Sequence, residues 1–312
     1  MARCGLATPD RAMCRTPIRL ALLALILVPL AAAGQTRVVA RGISGVATVK
    51  GASLYYEMRG EGKPVVLIHG GGLDRRMWDE QFERFSRAYK VIRYDVRGWG
   101  KSSEASAPFS SVGDLRGLLE ALGVGRVSIV GLSLGGRIAL DFALTYPAMV
   151  NALVVCGPGL SGFQWSEDET TRLAAIAEAA KTKGPSESAE LWLKDPYLAP
   201  AMESPALAPR LRQLVMDNLR AFSGPEVPET VPDPPAAARL SEIRAPTLVI
   251  VGSRDVPDIQ KIADLIVTGV AGAKKTVISG AGHLVNMEKP AAFDLAVLTF
   301  LGEPRVRKSE PG

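Results

Sequence analysis

From residue 43 onward, short and strongly apolar runs alternate with longer amphipathic stretches. The runs at 43–49, 53–58, 65–69, 91–94, 127–130 and 152–156 have the length of strands. The one at 65–69 carries no polar residue before its closing His69, as a strand buried on both faces requires. Between the runs, 77–89 sets Trp78, Phe82 and Phe85 at helical spacing. Residues 112–122 read as a helix closed by Gly123, and 134–146 as one stopped by Pro147. Such alternation predicts a parallel sheet with helices on both faces. It stops near 160. Residues 160–240 show no strand pattern, only helical stretches at 169–181, 187–194 and 208–222 and a proline-rich segment at 225–235. The alternation resumes with strands at 247–251 and 275–278 and helices at 259–267 and 290–301. The expected organisation is an α/β core in two parts, 34–159 and 241–312, with 160–240 inserted as a helical cap.

Residues 1–33 follow another pattern. Arginines precede the apolar run 20–33, which ends in Ala31-Ala32-Ala33, the layout of an export signal. The run is shorter than the roughly 20 apolar residues that span a bilayer. The expectation is an exported protein, periplasmic or secreted, whose mature chain starts near Gly34; the alternative is an uncleaved N-terminal membrane anchor. Translation from Met13 instead of Met1 leaves a shorter basic stretch before the same apolar run. This segment also changes the charge balance. It holds Arg3, Arg11, Arg15 and Arg19 against Asp10, so the rest of the chain keeps +2 of the formal +5. No basic cluster dense enough for nucleic acid remains. Apolar residues at 47% and charged residues at 22% exclude global disorder. With Cys4 and Cys14 in the segment to be lost, Cys156 stands alone and no intramolecular disulfide is expected.

Three motifs fall at ends of expected strands, where an open α/β sheet binds ligands. Gly131-Leu132-Ser133-Leu134-Gly135 is a G-x-S-x-G between a strand and a helix, the context in which a sharp turn lifts a serine hydroxyl off the sheet. Glycines two residues to either side avoid a collision in that turn. His69-Gly70-Gly71-Gly72 closes the strand at 65–69 and exposes backbone N–H groups; those of Gly71 and Leu134 are the expected oxyanion donors. His69 itself reads as structural. The third motif is a pair, Gly252-Ser253-Arg254-Asp255 and Gly280-Ala281-Gly282-His283. Serine needs a base, and the base needs an orienting acid. The chain has two histidines, so with His69 structural the base is His283 by elimination. The order Ser133, Asp255, His283 matches that of α/β-hydrolases. Asp258 competes with Asp255, but it follows Pro257 at the start of a helical stretch and reads as a helix-end charge.

On these motifs, residues 43–302 resemble the α/β-hydrolase superfamily. Arg93-Tyr94-Asp95-Val96-Arg97-Gly98-Trp99-Gly100-Lys101-Ser102 looks like the Y-D-x-R-G-x-G-x-S stretch of its capped members, in which Asp95 and Arg97 would be turn residues without a catalytic role. The resemblance implies a mostly parallel eight-stranded sheet in the order 1-2-4-3-5-6-7-8, with the first pair antiparallel, helices on both faces and an inserted helical cap. It also implies no metal and no organic cofactor. Serine at 133 separates the chain from dehalogenases and epoxide hydrolases of this fold, which carry aspartate there. The chain looks most like small capped esterases and enol-lactonases, so the expected partner is a small-molecule ester or lactone. Carbon–carbon bond hydrolysis, perhydrolysis with the same triad, and a non-catalytic binding protein stay as alternatives. Trp165, Trp192, Tyr197 and Phe222 are the aromatic residues of the cap available for a pocket wall, with packing inside the cap the favoured use for each.

Overall fold

The apolar runs become eight strands: β1 (Ile43–Val49), β2 (Ala52–Arg59), β3 (Pro64–Ile68), β4 (Lys90–Tyr94), β5 (Val127–Leu132), β6 (Val150–Cys156), β7 (Thr247–Gly252) and β8 (Lys274–Ile278). The computed structural model describes residues 42–223 and 227–302. The expected export segment, its cleavage near Gly34 and the choice between Met1 and Met13 lie outside the described residues. The strands form one sheet in the order β1-β2-β4-β3-β5-β6-β7-β8. Only β2 runs against its neighbours; every other adjacent pair is parallel. This is the topology that the resemblance implies.

Burial explains the placement. Val65, Val66, Leu67 and Ile68 of β3 and every residue of β7 are buried, because helices cover both faces of the sheet centre. The edge strand β1 has one covered face, so Ala47 and Val49 point inward while Val46, on the other face, stays exposed.

Helices connect the strands: α1 (Asp79–Phe85), α2 (Ser111–Ala121), α3 (Leu134–Thr145), α4 (Glu167–Lys183), α5 (Pro185–Lys194), α6 (Ala199–Met202), α7 (Ala208–Met216), α8 (Pro257–Gly269), α9 (Val285–Glu288) and α10 (Pro290–Leu301). Local chemistry sets their ends. Ser110 and Ser166 cap α2 and α4 by accepting from Gly113 N–H and Glu169 N–H, and α4 adds three acids in its first turn. Pro257 and Pro290 open α8 and α10.

Two expected helices prove shorter. Over 77–89, Asp74 accepts from Arg76 N–H at 2.9 Å and nucleates a 3-10 turn at Arg75–Trp78, so α1 starts only at Asp79. Over 208–222, Asn218 ends the α-helix: its Nδ2 donates back to Leu214 O (2.8 Å) and across to Asp74 Oδ2 (2.9 Å). A 3-10 turn, Leu219–Ser223, follows. The four-residue helices α6 and α9 are too short to show a period.

No strand lies between β6 and β7 among the described residues; α4 to α7 fill that interval. Their apolar sides bury Ala189, Leu193, Leu198, Leu211, Leu214 and Val215. Asn218, fully buried, ties this layer to the core through Asp74 and through Gly100 N–H, whose proton its Oδ1 accepts at 2.8 Å. Among the described residues no helix is long and apolar enough to cross a membrane.

Candidate active site

The turn between β5 and α3 is one residue long. Ser133 takes φ +55° and ψ −111°, a region that a non-glycine residue enters at a cost of about 1–3 kcal/mol. Its backbone is held from three sides: Ser133 N–H donates to Cys156 O (2.9 Å), and Ser133 O accepts from Gly159 N–H and Arg137 N–H (both 3.0 Å). The flanking glycines answer two different constraints. A Cβ on Gly131 would lie 2.2 Å from Gly135 O, a collision inside the turn; a Cβ on Gly135 would lie 2.2 Å from Ile68 O, at the end of β3. The second constraint comes from the neighbouring strand, which the motif alone does not reveal.

The loops after β7 and β8 bring Asp255 and His283 together. His283 Nδ1 stands 3.0 Å from Asp255 Oδ1 and 3.1 Å from Oδ2, and both residues are buried. A carboxylate only accepts, so Nδ1 carries the proton and Nε2 is left as the bare acceptor. Asp258 sits elsewhere, at the start of α8, where Oδ2 accepts from Ser166 N–H (2.7 Å) and Oδ1 pairs with Lys261 (2.9 Å). Ser133 Oγ and His283 share no hydrogen bond in this structure, a contact that free enzymes often close only around substrate. The segment after β6 links them instead. Gly159 bonds the backbone of Ser133, and a Cβ on Gly157 would stand 2.9 Å from His283 Nδ1.

Glu288 was not among the residues expected at the site. Its carboxylate accepts from Gly282 N–H (2.7 Å) and from Leu284 N–H (3.0 Å), the amides on either side of His283. Burial pushes this carboxyl above its ordinary range, and the two amides pull it back. Its position, five residues past the histidine, carried no signal of its own.

The glycine turn after β3 faces the same place. His69 is fully buried; burial holds its pKa below the ordinary value. Nε2 accepts from Val96 N–H (2.9 Å), so Nδ1 carries the proton and donates to Gly70 O (2.8 Å). Both ring nitrogens are therefore spent on fixing the turn to the end of β4. Leu134 opens α3, and among the described residues no acceptor takes its N–H or that of Gly71. A Cβ on Gly71 would meet nothing within 4 Å, so the turn borders open space. Among the described residues no group of three or more histidines, cysteines, aspartates or glutamates could hold a metal ion.

Residues 65–294 match the alpha/beta hydrolase family. The chain belongs to this family. It is 32% identical over 262 residues to a 2-hydroxy-6-oxononadienedioate/2-hydroxy-6-oxononatrienedioate hydrolase of Burkholderia vietnamiensis (strain G4 / LMG 22486), covering 80% of this chain and 90% of that one. Among solved structures it is similar to a hydrolase from Pseudomonas aeruginosa PA01 (TM-score 0.70, 32% identity, 83% of this chain and 98% of that one). It is also similar to the enol-lactonase from Burkholderia xenovorans LB400 (TM-score 0.69, 26% identity, 82% of this chain and 99% of that one).

The rest of the hydrolase's motif stretch is structural. Asp95 accepts from Arg75 N–H and Nη1 (both 2.9 Å) and from Lys101 N–H (2.8 Å). Arg97 makes a buried two-pronged bond to Asp114 (2.8 and 2.6 Å). Beyond them lies a cavity of about 500 Å³, walled by Arg97, Trp99, Phe109, Leu134, Arg220 and Glu229. Arg97 is paired with Asp114 and Glu229 with Arg137 (2.7 Å), while Arg220 donates Nη2 to the carbonyls of Gly100 (2.8 Å) and Ser102 (2.6 Å) and lies 3.9 Å from Glu104, which also lines the cavity. The cap aromatics do more than pack together. Tyr197 stands edge-on to His283, with ring centroids 4.5 Å apart, and Trp192 and Phe222 lie against Gly72. Trp165 pairs with Phe163 (5.2 Å) and lines a neighbouring cavity of about 390 Å³.

Proposed function

We propose that the hydrolase cleaves a carboxylic ester or lactone through an acyl-enzyme. The observation that carries this reading is a serine held in a strained strand-to-helix turn beside a histidine whose Nδ1 proton is taken up by a buried carboxylate. Ser133 Oγ attacks the acyl carbon as His283 Nε2 removes its proton. Asp255 holds the imidazole in that tautomer and balances its charge. The N–H groups of Gly71 and Leu134 receive the oxyanion, assisted by the N-terminus of α3. The protonated His283 hands its proton to the leaving oxygen. Water, activated by the same base, then releases the acid. Residues 160–240 act as a cap that selects the acyl group, and residues 1–33 export the protein.

Sequence similarity to a hydrolase named for a dicarboxylate substrate favours a second reading, cleavage of a carbon–carbon bond beside a carbonyl. A dianion needs an excess of positive charge, and in the cavity wall Arg97 is paired with Asp114 while Arg220 stands against Glu104 and Glu229. That balance favours a neutral ester or lactone. A fluorophosphonate should place one label per chain, and Ser133→Ala should abolish it; labelling that survives the substitution refutes Ser133. A panel of esters and lactones of graded acyl size, run beside a 2-hydroxy-6-oxo-dienedioate, decides the substrate class. Faster turnover of the dienedioate than of every ester and lactone would overturn the ester reading.

A further inference from the structure

One short stretch of the cap, residues 197–203, rests on both loops of the acid–base pair. Tyr197 stands edge-on to His283, with ring centroids 4.5 Å and planes 65° apart. Pro200 fills the place of a side chain on Gly282: a Cβ there would lie 2.7 Å from both Pro200 Cβ and Pro200 Cγ. Gly282 has no positive φ to call for glycine, so it is the approach of the cap that excludes a side chain next to His283. Glu203 pairs with Arg254 (2.6 Å), the residue before Asp255. Tyr197 is itself fixed. Its N–H donates to Asp195 Oδ1 (3.1 Å), Arg172 holds the other oxygen of that carboxylate, and its ring stacks at a tilt on Trp192 (5.4 Å). The ring is buried, and burial together with the neighbouring Glu169 pushes its phenol above the ordinary range, so it stays neutral.

His283 needs such a support. Asp255 fixes Nδ1, but contact at one atom leaves the ring free to tilt about it, and Ser133 does not hold Nε2 in this structure. Gly157 bounds one side of the imidazole, since a Cβ there would stand 2.9 Å from Nδ1 and 3.1 Å from Cε1. Tyr197 bounds another. We propose that Tyr197 is a positioning residue: its ring holds the imidazole plane of His283 in the orientation from which Nε2 takes the Ser133 proton. The cap thereby supports the reaction itself besides choosing the substrate. The assignment rests on the hydrolytic reading of Ser133 and His283. The ring makes the contact, so phenylalanine should replace tyrosine and leucine should not. A misaligned base slows proton transfer and leaves substrate binding alone, so the loss falls on kcat.

The test uses the full-length protein without a histidine tag and with ¹³C-labelled histidine. The chain has two histidines, and His283→Gln identifies the signal of His283 by its disappearance, leaving His69 as the internal reference. The Cε1–Hε1 signal of His283 should be single and sharp in the parent and in Tyr197→Phe. In Tyr197→Leu it should broaden or split as the ring samples several orientations, with that of His69 unchanged. On one ester, Tyr197→Leu should lower kcat about 10-fold with KM little changed, and Tyr197→Phe should stay near the parent. Fluorophosphonate labelling of Ser133, which needs the base, should slow in Tyr197→Leu by the same factor. Tyr197→Met, which also fills the space without a ring, takes its place if the leucine variant does not fold. A folded variant without the ring that keeps kcat within twofold of the parent, or an unaltered His283 signal, overturns the role of Tyr197. So does a loss in Tyr197→Phe equal to that in Tyr197→Leu, which would assign the effect to the hydroxyl. A parent that does not label at Ser133 overturns the hydrolytic reading and this inference with it.

Discussion

Residue by residue, the site separates groups by what their polar atoms already bind. Both nitrogens of His69 are engaged by backbone, whereas His283 has only Nδ1 engaged, by Asp255. The two acids near the end of β7 divide in the same way. Asp255→Asn replaces one carboxylate oxygen with an N–H donor, which favours the imidazole tautomer with Nδ1 bare and Nε2 protonated, and turnover should fall by about 10⁴-fold, the scale of the same change in another serine hydrolase fold. Asp258→Asn loosens the bonds to Ser166 N–H and Lys261, so it should lower the melting temperature by a few degrees and leave turnover within a few-fold. Parallel kinetics and thermal melts on the two variants check this, and an inactive Asp258→Asn would reverse the assignment. Glu288 acts on the reaction only through the backbone around His283. Glu288→Gln keeps one good acceptor and should lose less kcat than Glu288→Ala, which strands two buried amides; KM should hold in both. Steady-state kinetics on one ester give the ranking.

The elements show how few local signals were needed, and where those signals ended. Four of the parallel strands deliver a loop to the same edge of the sheet: His69–Gly72 from β3, Ser133 from β5, Asp255 from β7 and His283 from β8. The cap helices pack into the same apolar core as the strands, and buried polar bonds tie them to it as well. Asn218 is central, joining α7 to Asp74 and to Gly100. Asn218→Ala leaves a carboxylate and an amide of the core without this partner, and should cost about 1–3 kcal/mol. That cost belongs to the cap–core contact. Hydrogen exchange should therefore rise in α7 and in the Leu219–Ser223 turn, while β5 and β7 stay protected and fluorophosphonate labelling of Ser133 continues. Loss of protection throughout the sheet would show that the cap and the core unfold together. The helix expected at 208–222 ends early for the same reason, since Asn218 turns its side chain onto the helix backbone and onto Asp74.

At the scale of the molecule, acid stability reports on the same attachment. Asp74 is buried, which alone would raise its pKa; its bonds to Arg76 and Asn218 outweigh burial and bring it down to about 2. The unfolded chain takes up that proton near the ordinary value of 3.8. Asp74 therefore contributes stability that is fully present above that value and lost as pH falls towards 2. The difference in melting temperature between the parent and Asp74→Asn should be largest near neutrality and shrink between pH 4 and pH 2; a constant difference would remove the carboxylate from the explanation. The fold class, the break in strand–helix alternation between β6 and β7 and the strand ends that carry Ser133 and His283 were legible in sequence because they rest on local rules. Buried strands must be apolar, a helix needs a cap, and a serine elbow needs glycines beside it. Other features join residues far apart in the chain: Trp192 on Gly72, Asn218 between Asp74 and Gly100, and the demand of Ile68 O on Gly135. Glu288 is near His283 in sequence, yet its role appears only once α9 folds back under the histidine loop. No periodicity encodes such contacts. They exist because the sheet stacks its strand ends at one edge and the cap closes over them, and that packing is a property of the tertiary structure alone.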